Sequence, residues 1–119
     1  MDDDTLQMTM LFDFFGDLLS EKQREYFDLY HNEDLSLSEI AEKAGISRQG
    51  VYDIIARAER TLKEIERKTG VVRRWRETRE GLDKAGSLAS ELLRLAGSDS
   101  EVSALASRLV VTLEGIMRG

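Results

Sequence analysis

Apolar residues recur at helical spacing along nearly the whole chain, and no stretch alternates apolar and polar positions long enough for a strand. The pattern predicts an all-α chain of about six helices. Asp4 or Thr5 is placed to cap a first helix, with Leu6, Met10, Phe14 and Leu18 on one stripe and Gly16 inside it or at its end. Ser20 and Gln23 form a capping box that opens a second helix carrying Tyr26, Phe27, Leu29 and Tyr30. After a polar break at 32–35, Ser36 and Glu39 form another, opening a short helix with Leu37, Ile40, Ala41 and Ala44. Gly45 stops it as a left-handed residue would.

Ser47 opens a helix that nothing breaks before Gly70 apart from Gly50 in its first turn, a run of about 22 residues or about 33 Å. Val51, Ile55, Ala58, Leu62 and Ile65 are spaced 4, 3, 4 and 3 and form a heptad seam on it. Beyond Gly70 the pattern continues through Val72, Trp75, Leu82, Leu88, Leu92 and Leu95, with Gly81 and Gly86 expected to weaken or bend the helix and Gly97 to end it. Ser98 and Glu101 read as a third capping box, before a last helix carrying Val102, Leu105, Leu109, Leu113 and Ile116.

Composition narrows the chemistry. The 119 residues contain no proline and no cysteine, so no disulfide framework, thiol nucleophile or cysteine-zinc site is possible. The one histidine, His31, reads as a helix-end residue favoured by the dipole. There is no glycine-rich phosphate loop and no cluster at metal-ligand spacing, so neither an enzyme nor a cofactor or metal is expected. No apolar run exceeds three residues, which excludes a membrane-spanning helix. The acidic start, Met1 to Asp4, is unlike the basic start of a signal peptide, and the Asp2-Asp3-Asp4 run reads as a solvated helix entry. The expectation is a cytoplasmic protein. Charge is uneven: the net −6 comprises −8 over residues 1–35, whereas residues 47–79 carry +5. A basic segment behind an acidic front is compatible with a phosphate-binding face, or with a helix surface of mixed salt bridges.

The basic segment overlaps a motif. In a twenty-residue unit starting at Leu37, Gly45 stands ninth, the turn position of a helix-turn-helix. Apolar residues are then required at the fourth, eighth, tenth, fifteenth and eighteenth places, and the chain supplies Ile40, Ala44, Ile46, Val51 and Ile54. The fifth place needs a small residue and holds Ala41. The alternative is an ordinary helical hairpin with a glycine turn. The second helix of such a unit enters the major groove with its N-terminal residues, here Ser47, Arg48, Gln49, Tyr52 and Asp53. Arg48 suits a bidentate contact to guanine and Gln49 one to adenine. Ser47 can cap the helix and reach a phosphate, and Tyr52 can touch a phosphate or a thymine methyl. Asp53 is able to accept from a cytosine amine or to pair with Arg57. Arg73, Arg74 and Arg76 are expected to add phosphate contacts, with Trp75 among them either stacking or packing in a core or dimer.

The runs Leu19 to Arg24, Leu35 to Ala41 and Gly45 to Val51 resemble region 4 of sigma-70-type factors. With Leu11 to Phe15 and Arg57 to Leu62 added, residues 6–76 more closely resemble the YlxM family, small bacterial helix-turn-helix proteins encoded beside signal recognition particle genes. The resemblance implies a sigma region 4-like domain at 1–69 and a C-terminal helical extension at 70–119. It also implies a regulatory protein that binds duplex DNA and is tied to the signal recognition particle pathway. The alternative is an adaptor that binds the particle's protein or RNA through the same scaffold. The stripes of the extension must be buried somewhere, either on the long helix of the same chain or in a homodimer. The homodimer is the expectation.

Overall fold

The computed structural model describes residues 3–118, and within them no strand occurs. The elements are α1 (Asp3–Phe15), a 3-10 turn (Gly16–Leu18), α2 (Glu21–His31), α3 (Leu37–Ala44), α4 (Arg48–Thr69), α5 (Val71–Ala96) and α6 (Ser100–Arg118). Asp2, part of the expected acidic helix entry, lies outside the described residues. No described helix is long and apolar enough to cross a membrane.

Local chemistry makes the boundaries of the middle helices. Ser20 accepts the Gln23 amide at 3.3 Å while the Gln23 side chain accepts the Ser20 amide at 3.2 Å. Ser36 and Glu39 repeat the exchange at 3.1 and 3.0 Å. The Ser36 backbone N–H foremost, and the Ser36 hydroxyl after it, hold the Glu39 carboxyl below its ordinary value. Gly45 closes α3 at φ +72° and ψ 29°, and both its own amide and that of Ile46 return to the Ala41 carbonyl, at 2.9 and 3.2 Å.

Contacts divide the chain into two compact units, the first ending at Val72 and the second starting at Arg73. In the first unit α1, α2 and α3 all pack on α4. Val51, Ile55, Ala58 and Leu62 are buried along α4, and Ile65 is half-buried. Val51 and Ile55 join Tyr26 and Ile40 under the helix-turn-helix. Ala58 and Leu62 join Met8, Leu11, Phe15, Leu19, Phe27 and Val72. The Phe12 ring stacks on Phe27 with centroids 4.7 Å apart.

Four expectations need correction here. α1 starts at Asp3, so Asp4 and Thr5 lie within it. Its stripe is also different: Leu6, Phe14 and Leu18 are exposed and Met10 is only half-buried, while Met8, Leu11, Phe15 and Leu19 are buried. Apolar residues surround most of α1, so periodicity alone does not choose a face, and the tighter 3-10 turn shifts the phase so that Leu19 turns inward. Ala44 and Ile46, placed at apolar positions of the motif, are exposed, Ile46 at 39%, because they stand at the outer tip of the turn beyond the packing of α2. Asp99, not Ser98, caps α6, accepting the amides of Glu101 and Val102 at 3.1 Å each.

The second unit is a helical hairpin. Gly81 and Gly86 lie within one uninterrupted helix, α5, where the surrounding alanines, leucines and ion-paired residues outweigh their low propensity. Gly97 takes φ +55° at the reversal. The helices run antiparallel, so that Arg79 near the start of α5 reaches the Met117 carbonyl near the end of α6, at 3.5 Å.

Candidate nucleic-acid interface

The start of α4 is built to leave polar groups outward. Ser47, in extended backbone at φ −73° and ψ 155°, accepts the Gly50 amide on its hydroxyl at 3.0 Å. The Arg48 and Gln49 amides have no partner within the helix, as in any first turn, and no acid stands there to oppose an anion. A side chain at position 50 would bring its Cβ within 3.2 Å of the Ser47 hydroxyl oxygen, so glycine relieves the cap of crowding.

Ser47, Arg48, Gln49, Tyr52, Asp53 and Arg57 are all exposed on this stretch. Gln49 and Asp53 are not independent: the Gln49 amide donates to Asp53 Oδ1 at 2.9 Å. Asp53 therefore engages Gln49, although Arg57 stands at the same i, i+4 spacing on its other side. Tyr52 leans to the other side, where it lines a hollow with Tyr30, Leu37, Ile55, Ala56 and Glu59. Arg73, Arg74 and Arg76 are exposed on α5 and belong to the second unit. Trp75 is exposed there too, with the Arg79 guanidinium 5.9 Å from its ring centroid.

Three further features surround this stretch. Arg60 follows Gln49 by eleven residues, about three turns, and shares its exposed face, as does Lys63; helical periodicity was the available signal. Arg67, further along, is held instead by Glu64, its Nε donating to Oε2 at 2.8 Å. This bond, helped by charge, pulls the Glu64 carboxyl down to about 2. His31 does not face solvent at its helix end. Its Nε2 lies 2.9 Å from Glu59 Oε1, which ties α2 to α4, and its ring sits 4.2 Å from that of Phe27. No sequence signal pairs residues so far apart.

Among the described residues no group of His, Asp and Glu side chains is placed to hold a metal ion. A short helix, a left-handed glycine turn and a second helix with an exposed polar start define a helix-turn-helix protein. The chain belongs to the UPF0122 family: the family model described as "Putative helix-turn-helix protein, YlxM / p13 like" matches residues 2–92. It is similar to a UPF0122 protein of Thermoanaerobacter sp. (strain X514), 45% identical over 114 residues that cover 96% of this chain and 97% of that one. A UPF0122 protein of Geobacillus kaustophilus is 41% identical, covering 88% of this chain and 93% of its own. One of Shouchella clausii is 46% identical over 86% and 87%.

Proposed function

We propose that the chain is a regulatory, non-enzymatic DNA-binding protein that reads duplex DNA through the start of α4 and acts as a cytoplasmic homodimer. The observation that carries this reading is the outward-facing start of α4: a capped N-terminus with no acid in its first turn, beside Arg48 and Gln49. Arg48 and Gln49 read base edges, Ser47 and Tyr52 meet the backbone, and Arg57, Arg73, Arg74 and Arg76 supply salt-dependent phosphate affinity. Asp53 holds Gln49 in place and restrains it from non-specific contacts. The link to the signal recognition particle pathway rests on the YlxM-like family resemblance.

Gel shifts with genomic fragments at low salt test the reading. Binding is expected. On a specific site Arg48→Ala should cost about 1–3 kcal/mol, and Arg73→Ala should instead lower the salt dependence. Asp53→Ala should tighten binding to unrelated sequences by removing a carboxylate from the phosphate surface. Absence of any binding at low salt would overturn the reading.

One pair of observations favours an adaptor instead: the Gln49–Asp53 bond occupies a base-reading side chain, and the first 35 residues carry a net −8 that repels a polyanion. On that reading the same face docks signal recognition particle protein, because RNA meets the same acidic repulsion as DNA, and a crosslinked pull-down from cells recovers that protein rather than DNA.

A further inference from the structure

The second unit is half of a core. From Arg73 onward the only buried hydrophobic residues among those described are Ala89 and Ala106. They lie on the covered lines of the hairpin, which run through Leu82, Ala89 and Leu93 on α5 and Ala106, Val110 and Leu113 on α6, all of the others half-buried. So short a segment with so little apolar burial does not hold a fixed structure by itself.

The missing apolar surface is present, but on the outside. Leu88, Leu92 and Leu95 are spaced 4 and 3 along α5, and Val102, Leu105, Leu109 and Ile116 are spaced 3, 4 and 7 along α6. Both sets repeat at heptad spacing, about a quarter turn from the covered lines. Because the helices are antiparallel, an offset in the same rotational sense on each puts both sets on the same side of the hairpin. The opposite side is a groove lined by Asp83, Ser87, Ser90 and Glu114 as well as by Val110 and Leu113. The seven apolar side chains are 42–66% exposed. Together they offer roughly 700 Å² of apolar surface, above the largest patch of an ordinary monomer and close to the roughly 800 Å² that each partner contributes to a stable interface.

We propose that this face pairs with the same face of a second copy, closing a four-helix bundle about a two-fold axis. The inference rests on the homodimer in the proposed function and assigns the surface that forms it. Charge favours a second copy. The apolar set carries no charged residue, so identical faces meet without repulsion. The charged residues within its α5 stretch, Glu91 and Arg94, line the groove on the other side and pair there, with Arg94 Nε donating to Glu91 Oε2 at 3.2 Å. A two-fold contact requires a patch that is complementary to itself, and an uncharged patch with leucines on both helices meets that requirement.

Sedimentation of the full chain at micromolar concentration tests this. The unmodified protein should show twice the chain mass. Leu92→Asp and Leu109→Asp should each halve it, whereas Ser87→Asp and Ser90→Asp on the groove side should leave it unchanged. The chain has no cysteine. Leu105→Cys and Ser90→Cys therefore each carry a single thiol, and a short bismaleimide should crosslink copies of the first and not of the second, a readout that survives if the aspartate variants misfold. A monomer in the unmodified protein would overturn both the homodimer and the face. A dimer that persists in both aspartate variants and crosslinks equally through Ser90→Cys would overturn the face alone. Failure to bind DNA would refute the regulatory reading and leave this one standing.

Discussion

Replacing Gly45 with alanine isolates the cost of the turn. At φ +72° an L side chain is strained, and an added Cβ would meet nothing within 4 Å, so no steric clash confuses the result. The penalty is therefore conformational alone, about 1–2 kcal/mol for a non-glycine residue in the left-handed region. Asparagine tolerates that region better than alanine, so Gly45→Asn should lose distinctly less than Gly45→Ala. Gly50, five residues on, should respond with the opposite sign. It lies within α4, where alanine is favoured over glycine by about 0.8–1 kcal/mol. The 3.2 Å approach to the Ser47 oxygen removes part of that gain, because the hydroxyl must shift slightly. Urea unfolding followed by helical circular dichroism, at one fixed protein concentration, reads both. With a slope of about 2 kcal/mol/M, Gly45→Ala should lower the midpoint by roughly 0.5–1 M, while Gly50→Ala should hold or raise it. A neutral alanine at 45, equivalence of alanine and asparagine there, or a Gly50→Ala more damaging than Gly45→Ala would each refute a turn held by the left-handed glycine.

The phenylalanines of the first unit should separate by position: Phe27→Ala, which empties a fully buried site under the Phe12 ring, is expected to cost about 3–5 kcal/mol by urea unfolding, and exposed Phe14→Ala under about 1 kcal/mol. Glu64 should titrate near 2 by carboxyl NMR and return toward the ordinary range in Arg67→Ala. Its pKa is depressed in the folded state, so its stabilisation is present above the unfolded carboxylate value and is lost as pH falls from there through about 2. Both partners are exposed, so the effect on overall stability should be small and should shrink with added salt.

Features that depend on neighbours three or four residues away were legible along the chain. The paired caps at Ser20 and Ser36, the stops at Gly45 and Gly70, the Ser47 cap and the Val51–Ile55–Ala58–Leu62 seam follow from local hydrogen bonding and helical periodicity. The exposed order of Ser47, Arg48, Gln49, Tyr52, Asp53 and Arg57 follows from the same rule, as does the face shared by Arg60 and Lys63. Where one segment offered several equivalent local solutions, tertiary packing made the choice. α1 is apolar on most sides, and only the helices packed around it select Met8, Leu11 and Phe15 over Leu6 and Phe14. Ser98 and Asp99 both suit a cap, and the backbone reversal at Gly97 presents Asp99. Asp53 had two partners in reach, and the geometry of the outer face gives it Gln49. His31 met Glu59 across 28 residues because α2 crosses α4 at that point, and the contact depends on a chain path that local pattern does not encode.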